Sequence, residues 1–108
     1  MSNVKEQIEN DIKTHKIVLY LKGTPEMPQC GFSAATVECF KKLGVKFHAV
    51  NILEDVKIRQ GVKEYTNWPT IPQVFINGKF IGGCDITKEL FENGELKKMV
   101  MVEGETKA

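Results

Sequence analysis

The sequence has few of the residues that mark a disulfide-stabilised, zinc-stabilised or membrane-spanning protein. Only three cysteines occur, and their odd number and wide spacing, at Cys30, Cys39 and Cys84, exclude a disulfide framework as the main source of stability. The two histidines, His15 and His48, have no cysteine near them at zinc-finger spacing, so no zinc site is expected. No apolar run approaches the roughly 18 residues that a membrane span requires.

The sequence also lacks an excess of charge of either sign. It has 15 Lys and Arg residues and 14 Asp and Glu residues, which gives a formal net charge of +1. A balanced charge provides no long-range attraction to nucleic acid or to an anionic membrane, so neither is expected as a partner. The apolar fraction of 42% and the charged fraction of 27% are typical of a globular domain, and we expect one domain spanning residues 1–108.

The first residues carry no targeting pattern that we recognise. They have neither the apolar core of a signal peptide nor the Arg-rich, acid-poor composition of a transit sequence. Cysteines that do not form a set of structural disulfides are typical of a reducing compartment. We therefore expect the chain in a bacterial cytoplasm, or in an organelle matrix if a targeting segment has been removed.

The hydrophobic pattern changes period repeatedly, as alternating helices and strands require. Residues 103–108 are expected to fray. The predicted elements are a helix through Val4, Ile8 and Ile12, a strand at Ile17–Leu21, a helix from Gly31 to its C-cap Gly44, a strand at 46–52, a helix with Asp55 near its start, a hairpin at 74–81 with Asn77-Gly78 as its turn, a helix with Asp85 as N-cap, and a short helix at 96–102.

This order of elements predicts an α/β fold. Helical crossovers predict parallel pairing of the first two strands and of the strands on either side of the third helix. The hairpin must be antiparallel. The expected result is a four-stranded mixed sheet flanked by helices.

Cys30 is the residue most suited to chemistry. It lies between a loop and a predicted helix start, where unpaired N–H groups and the helix dipole lower a thiol pKa to roughly 3.5–7.5. Gly31 lets a substrate approach closely, and Ser33 can donate a hydrogen bond to the sulfur. The alternative is a small apolar residue of the core, but the polar, proline-containing stretch at 25–29 is a poor place for a core.

Four short motifs carry a family resemblance. They are Cys30-Gly31-Phe32-Ser33, Lys22-Gly23, Trp68-Pro69-Thr70-Ile71-Pro72 and Gly82-Gly83-Cys84-Asp85. In this order and spacing, over nearly the whole chain, they resemble the monothiol glutaredoxins of the CGFS type. The loop at 23–27 is also similar to that subgroup. The resemblance implies the thioredoxin fold, which agrees with the order of elements.

The resemblance implies that the chain binds glutathione. A cis Pro72 would leave the main chain of Ile71 open to an extended peptide, whereas a trans strand-entry proline is the alternative. Lys22 and Arg59 match positions for the glycine carboxylate, and Asp85 suits the γ-glutamyl end, although all three could be ordinary surface or capping residues. The full implied glutathione set is Lys22, Phe32, Arg59, Thr70, Ile71, Pro72, Gly83, Cys84 and Asp85.

The other two cysteines differ in their expected roles. Cys39 falls within a predicted helix and is expected to be structural. Cys84 matches a glutathione contact through its backbone, and its thiol could also form a disulfide with Cys30. The sequence leaves that pairing open, because it does not give the distance between the two residues.

Two functions follow from the resemblance. In the first, Cys30 and a bound glutathione from each of two chains hold a [2Fe-2S] cluster, so the chain is a homodimer with the cluster and a monomer without it. Such a protein acts in iron–sulfur cluster assembly and iron homeostasis, with apoproteins as recipients and a BolA-like protein as a further partner. The alternative is a glutathione-dependent oxidoreductase, a weak one, with Cys30 as nucleophile and no resolving thiol at Ser33.

Overall fold

The computed structural model of the protein describes residues 3–100. Its four strands form one mixed sheet in the order β2-β1-β3-β4, with helices on both faces, as predicted. No helix in this part of the chain is long and apolar enough to cross a membrane. The elements are α1 (Asn3–Thr14), β1 (Ile17–Leu21), α2 (Gly31–Leu43), β2 (His48–Asn51), a 3₁₀ turn (Ile52–Glu54), α3 (Val56–Thr66), β3 (Gln73–Ile76), β4 (Lys79–Gly82), α4 (Cys84–Glu92) and α5 (Glu95–Val100).

The strand directions follow the prediction for β1 and β2 but not for the strands around α3. β1 and β2 are parallel, with Val18 opposite His48 and Leu21 opposite Asn51. β3 is antiparallel to β1, and β4 is antiparallel to β3. Hence β2 and β3, on either side of α3, run in opposite directions, and the prediction that they are parallel is wrong.

The cause is the path of the chain after β2. β2 ends at Asn51 beside Leu21, and β3 begins with Gln73 opposite Tyr20, so both points lie at the same end of the sheet. The 3₁₀ turn, α3 and the following loop therefore form a connection that starts and finishes at the same end of the sheet. An intervening helix indicates parallel strands only when the connection crosses from one end of the sheet to the other.

The central strand β1 separates two apolar cores. All of its side chains are buried, and successive ones point to opposite faces of the sheet. On one face Leu19 packs in a cluster with Phe40 and Leu96, and on the other Tyr20 packs in a cluster with Val62. Burial on both faces explains why β1 is a continuous apolar run in the sequence.

Several predicted ends and turns are confirmed. Gly44 ends α2 in the left-handed region, with φ 72°. Asp55 caps α3, and its carboxylate accepts two N–H groups of the first turn. Asn77 and Gly78, with φ values of 54° and 81°, form the turn between β3 and β4.

The start of α4 differs from the prediction. The N-cap is Gly83, whose C=O accepts the N–H of Thr87 at 3.0 Å, so the prediction that Asp85 is the N-cap is wrong. The reason is that the chain at Gly83 is still extended and becomes helical at Cys84. Asp85 lies in the first helical turn instead, where its carboxylate still faces the positive end of the helix dipole.

Two other predicted boundaries shift. β2 covers His48–Asn51 instead of 46–52, because Ile52 begins the 3₁₀ turn. α5 covers Glu95–Val100. The predicted continuation of this helix to residue 102, and the prediction about residues 103–108, lie outside the described residues.

Tyr20 carries a polar group that the core does not satisfy. Its ring is completely buried and packs edge-to-face on Phe75, with ring centroids 5.7 Å apart. Within residues 3–100 its hydroxyl has no hydrogen-bond partner, and burial raises its pKa far above the usual range. Tyr20→Phe keeps the ring contact and removes this group, so we expect the free energy of unfolding to rise by about 1 kcal/mol. Urea denaturation tests this, and a loss of about 1 kcal/mol or more would contradict it.

Candidate functional site

Cys30 lies at the end of the sheet where β1 and β2 both finish. It is the N-cap of α2, with an extended backbone of φ −153° and ψ 135°. Its C=O accepts the N–H of Ala34 at 3.0 Å, which closes the first turn of the helix. The side chain is half-buried, whereas Cys39 is buried in the core. Cys30 is therefore not the small core residue that was the alternative.

Helix N–H groups and a nearby cation stabilise the Cys30 thiolate. Its pKa is lowered most by the N–H of Ser33, while partial burial opposes the shift. The N–H of Phe32, the charge of Lys22 and the Ser33 hydroxyl lower the pKa further. The Oγ of Ser33 accepts the N–H of Lys22 at 3.0 Å, so its own proton is available to the Cys30 sulfur.

Alkylation kinetics should separate Cys30 from Cys39, because the thiolate is the reacting form of a cysteine. Burial raises the pKa of Cys39, and the neighbouring Cys84 adds to that effect. We expect iodoacetamide to modify Cys30 at pH values where an ordinary thiol is mostly protonated, and to spare Cys39 in the folded chain. Peptide mass spectrometry at several pH values measures both rates.

A matched variant tests the cause of this reactivity. Ser33→Ala removes the hydroxyl donor but keeps the main-chain N–H at this position. The pH dependence of Cys30 alkylation should therefore move to higher pH, but not as far as that of free cysteine. A wild-type Cys30 profile that coincides with that of free cysteine would contradict the interpretation.

The loop between β1 and Cys30 is held by hydrogen bonds that its main-chain N–H groups donate. The N–H of Gln29 donates to the C=O of Lys22 at 2.8 Å. The N–H of Gly23 donates to Oδ1 of Asn51 at 2.9 Å, which ties the loop to the end of β2. These bonds fix the position of Lys22, whose charge acts on Cys30.

Gly23 is required by this loop for two reasons. Its φ is +98°, and an added Cβ would lie 2.6 Å from Gln29 N and from Met27 O. Both are backbone atoms, so we expect Gly23→Ala to lower the free energy of unfolding by at least about 2 kcal/mol. Gly31→Ala is the matched control, because nothing lies within 4 Å of its added Cβ. Equal unfolding midpoints for the two variants in urea would contradict this account.

A groove of about 520 Å³ passes Cys30. Its lining brings Cys30 together with eight of the nine residues predicted to contact glutathione, namely Lys22, Phe32, Thr70, Ile71, Pro72, Gly83, Cys84 and Asp85. The remaining lining residues are Lys63, Trp68, Pro69 and Ile86.

Arg59 is the predicted contact that does not line this groove. It is exposed on α3, and Lys63, one turn further along the same helix, lines the groove instead. Lys63 was not identified from the sequence, because a single lysine on a helix cannot be distinguished from an ordinary solvated charge. The available signal was its spacing of four residues from Arg59, which puts both on one face of α3.

One wall of the groove is the loop that enters β3. The Ile71–Pro72 peptide bond is cis, so the predicted cis form is confirmed. Among the backbone hydrogen bonds found outside helices and strands in residues 3–100, none involves the N–H or C=O of Ile71. This stretch of main chain is therefore open to pairing with an extended ligand.

Gln73 holds this loop in place and was not identified from the sequence. It is completely buried, and its Nε2 donates to the C=O groups of Trp68 at 2.9 Å and Thr70 at 3.1 Å. The Thr66 hydroxyl donates to its Oε1 at 2.9 Å. A polar residue at the start of an apolar strand was the available signal, because a buried amide must find partners.

The start of α4 forms another part of the groove. An added Cβ at Gly83 would lie 3.1 Å from Pro72 O and 3.4 Å from Trp68 Nε1, so glycine lets α4 approach this wall closely. Asp85 is exposed in the first turn of the helix. The groove thus combines the ammonium groups of Lys22 and Lys63 with one carboxylate and a helix N-terminus.

Cys84 lies in the groove lining but is buried. All three cysteines are free in this structure. A disulfide between Cys84 and Cys30 after oxidation stays a prediction, and peptide mass spectrometry of the oxidised chain would test it.

The fold and this site agree with known proteins. Residues 17–81 match the family model Glutaredoxin. A Rickettsia typhi protein, probable monothiol glutaredoxin 2, is 54% identical over 93 residues, covering 86% of this chain and 84% of that protein. The solution structure of reduced poplar apo GrxS14 has a TM-score of 0.78 at 48% identity, covering 90% of this chain and 92% of that one. A buckwheat glutaredoxin–glutathione complex has a TM-score of 0.83 at 24% identity, with coverages of 93% and 89%.

These matches confirm the predicted thioredoxin fold. The relative from Rickettsia typhi and the poplar structure both cover most of the chain. The chain therefore belongs to the glutaredoxin family, among its monothiol members.

Proposed function

We propose that the groove binds glutathione with its sulfur beside Cys30. The main support is the composition of the groove around Cys30, whose thiol has a lowered pKa. The lining provides cations, one carboxylate and main-chain groups that are open to pairing with a ligand. Glutathione has the matching groups, because it is an extended peptide with two carboxylates and one ammonium. Membership of the glutaredoxin family, one member of which was solved as a glutathione complex, supports this ligand.

Each part of glutathione has a partner in this arrangement. The glycine carboxylate binds Lys22 and Lys63, and Arg59 on the same helix face contributes long-range attraction. The cysteinyl part pairs with the main chain of Ile71. The γ-glutamyl carboxylate binds at the N-terminus of α4, and its ammonium binds Asp85.

We further propose that a [2Fe-2S] cluster is the cargo of this site. Such a cluster takes four sulfur ligands, whereas residues 3–100 contain no group of three metal-ligating side chains. The half-buried Cys30 thiolate and one bound glutathione give two sulfurs from each chain. Two chains together complete the set, so the dimer forms with the cluster and the chain is a monomer without it.

The surface around Cys30 fits contact with a second protein. The side chains of Phe32 and Met27, next to Cys30 and in the loop before it, are 63% and 68% exposed. Exposed apolar groups of this kind favour association. Few protein ligands hold the cluster, which favours its release to recipient apoproteins, and a BolA-like protein is a further partner. A reducing compartment, a bacterial cytoplasm or an organelle matrix, suits a free thiolate.

Anaerobic incubation with ferrous iron and sulfide, with and without glutathione, tests this function. We expect visible absorption of a bound cluster only when glutathione is present. Absorption of equal strength without glutathione would contradict the proposed ligand set. A folded chain that stays colourless in both samples would contradict the carrier function.

A second candidate function follows from the lowered pKa of Cys30. Its thiolate would attack the glutathionyl sulfur of a protein mixed disulfide, so that the protein thiolate leaves and takes up a proton. A second glutathione thiolate would then attack the Cys30 mixed disulfide, which frees Cys30 and yields glutathione disulfide. Ser33 supplies no resolving thiol. Equal rates of deglutathionylation for wild type and Cys30→Ser would contradict this activity.

A further inference from the structure

The outer edge of β2 is not paired with another strand. The sheet order β2-β1-β3-β4 leaves β2, within residues 3–100, with β1 as its one neighbour. The outward-pointing N–H and C=O groups of such an edge strand have no partner in the sheet. Among the backbone hydrogen bonds found outside helices and strands in this part of the chain, none involves residues 48–50. The main chain of β2 is therefore open to pairing with a further strand.

The two edges of the sheet differ in how they are protected. β4, the other outer strand, begins with the exposed Lys79, and its pairing with β3 shifts register between Val74 and Phe75. Edge lysines and irregular pairing are common devices that prevent the addition of another strand. β2 has the sequence His-Ala-Val-Asn, with no lysine or proline, and its register with β1 is regular. The β2 edge thus lacks the protection that β4 has.

A groove of about 460 Å³ follows the β2 edge and is lined by all four residues of the strand. Ala49 packs on the same face of the sheet as Leu19, whereas Val50 packs on the opposite face with Tyr20. Because the lining takes residues from both faces, the groove runs along the edge of the sheet and not across one face. An extended segment in this groove would lie beside the main chain of β2.

The lining of this groove is acidic. It contains the carboxylates of Asp11, Glu54 and Asp55, and its described residues include no lysine or arginine. Asp55 accepts two N–H groups at the start of α3, so its charge is already engaged. Asp11 is half-buried and Glu54 is exposed, so these two carboxylates determine the charge that an incoming segment meets.

The neighbouring basic groups do not cancel this charge. Burial lowers the pKa of His48, and His15, which stacks on it with ring centroids 3.9 Å apart, lowers it further, so His48 is neutral at pH 7 although Asp11 opposes the shift. Lys46 and Lys57 are exposed and lie outside the lining. The edge therefore has complementary charge for a basic ligand at neutral pH.

We propose that the β2 edge binds an extended, basic segment of a partner protein, which adds to the sheet as a fifth strand. The main chain of residues 48–50 pairs with the segment, and its lysine or arginine side chains pair with Asp11 and Glu54. A second copy of this chain is a poor occupant, because pairing of two β2 edges would bring like charges together. β2 finishes at the same end of the sheet as Cys30, so the partner is held on the side of the molecule that carries the glutathione groove.

NMR of the main-chain amide signals of the full chain, without glutathione, tests this proposal. The probe is the blocked pentapeptide Lys-Val-Lys-Val-Lys, compared with Glu-Val-Glu-Val-Glu and with a lysine peptide methylated at every main-chain amide nitrogen. We expect saturable shifts that are largest in residues 48–51 with the lysine peptide, and no binding of the glutamate peptide. The methylated peptide keeps its charge but cannot donate main-chain hydrogen bonds, so it should bind at least about fivefold more weakly.

Charge variants of the groove provide a second measurement with the same lysine peptide. Asp11→Asn and Glu54→Gln should each weaken binding by about threefold, because each removes one partner of a lysine side chain. Glu89→Gln is the matched control and should leave the affinity unchanged, since Glu89 is an exposed acid on α4 that lies outside the lining.

Four outcomes would overturn the proposal. Equal binding of the lysine and glutamate peptides would contradict the role of charge, and equal binding of the methylated peptide would contradict main-chain pairing. Equal weakening by Glu54→Gln and Glu89→Gln would contradict this location. A dimer of the free chain by light scattering, with β2 amide signals that change on dilution, would show that a second copy occupies the edge. None of these results depends on glutathione or on a cluster, so the test is independent of the function proposed above.

Discussion

Cys30→Ser is expected to lose nearly all bound iron and visible absorption after anaerobic reconstitution with glutathione. Serine keeps the position at the start of α2, but its hydroxyl stays protonated at neutral pH and does not replace a thiolate as an iron ligand. The loss should be nearly complete, because two cysteines line the groove and Cys84 is buried whereas Cys30 is not. Iron analysis of the desalted protein, with its absorption spectrum, measures it.

Cys39→Ala is the matched control for this experiment. Cys39 is buried in the core between β1 and α2 and does not line the groove. Its replacement should lower stability without removing a ligand, so the variant should still bind the cluster when it is folded. Equal iron in wild type and Cys30→Ser, or loss of iron only in Cys39→Ala, would contradict the assignment of Cys30 as the ligand.

The affinity for glutathione is expected to fall steeply when the cations of the groove are removed. Lys22→Gln and Lys63→Gln each remove a charge-assisted hydrogen bond to a carboxylate. Both lysines are half-buried, so we expect a loss of about 1 kcal/mol each, or about fivefold in Kd. The double variant should bind about 25-fold more weakly if the effects add. Isothermal titration calorimetry with glutathione measures these values.

Arg59→Gln and Lys57→Gln complete this series. Arg59 is exposed and outside the lining, so its removal should weaken binding less than either groove lysine does. Lys57 lies at the exposed start of α3 and should have no effect. A larger loss for Arg59→Gln than for Lys63→Gln would contradict the assignment of Lys63 and restore the contact first predicted from sequence.

The part of the site that could be predicted from sequence depends on local signals. The loop, the helix start and the motif around Cys30 predicted a thiolate stabilised by helix N–H groups. This could be predicted because the N–H groups that lower the pKa lie within a few residues of Cys30. Gly44, Asp55 and the Asn77-Gly78 turn were identified for the same reason, since each residue type determines its own backbone geometry.

The features that were missed depend on distant contacts. The direction of β3 is determined by the end of the sheet that the chain reaches after α3, which the hydrophobic pattern does not record. Lys63 enters the groove only because α3 is oriented towards it, and Gln73 is recognisable as a support only once its two carbonyl partners are known. The stack of His15 on His48 likewise joins elements that are far apart in the chain.

The most direct test of the central claim is the composition and molar mass of the reconstituted protein. Each chain is proposed to contribute two sulfur ligands, one from Cys30 and one from a bound glutathione. Light scattering should then give a dimer, and chemical analysis should give two irons, two sulfides and two glutathiones per dimer. Removal of the cluster with a chelator should return the chain to a monomer. A cluster bound to a monomer, or a dimer that holds a cluster without glutathione, would contradict the account.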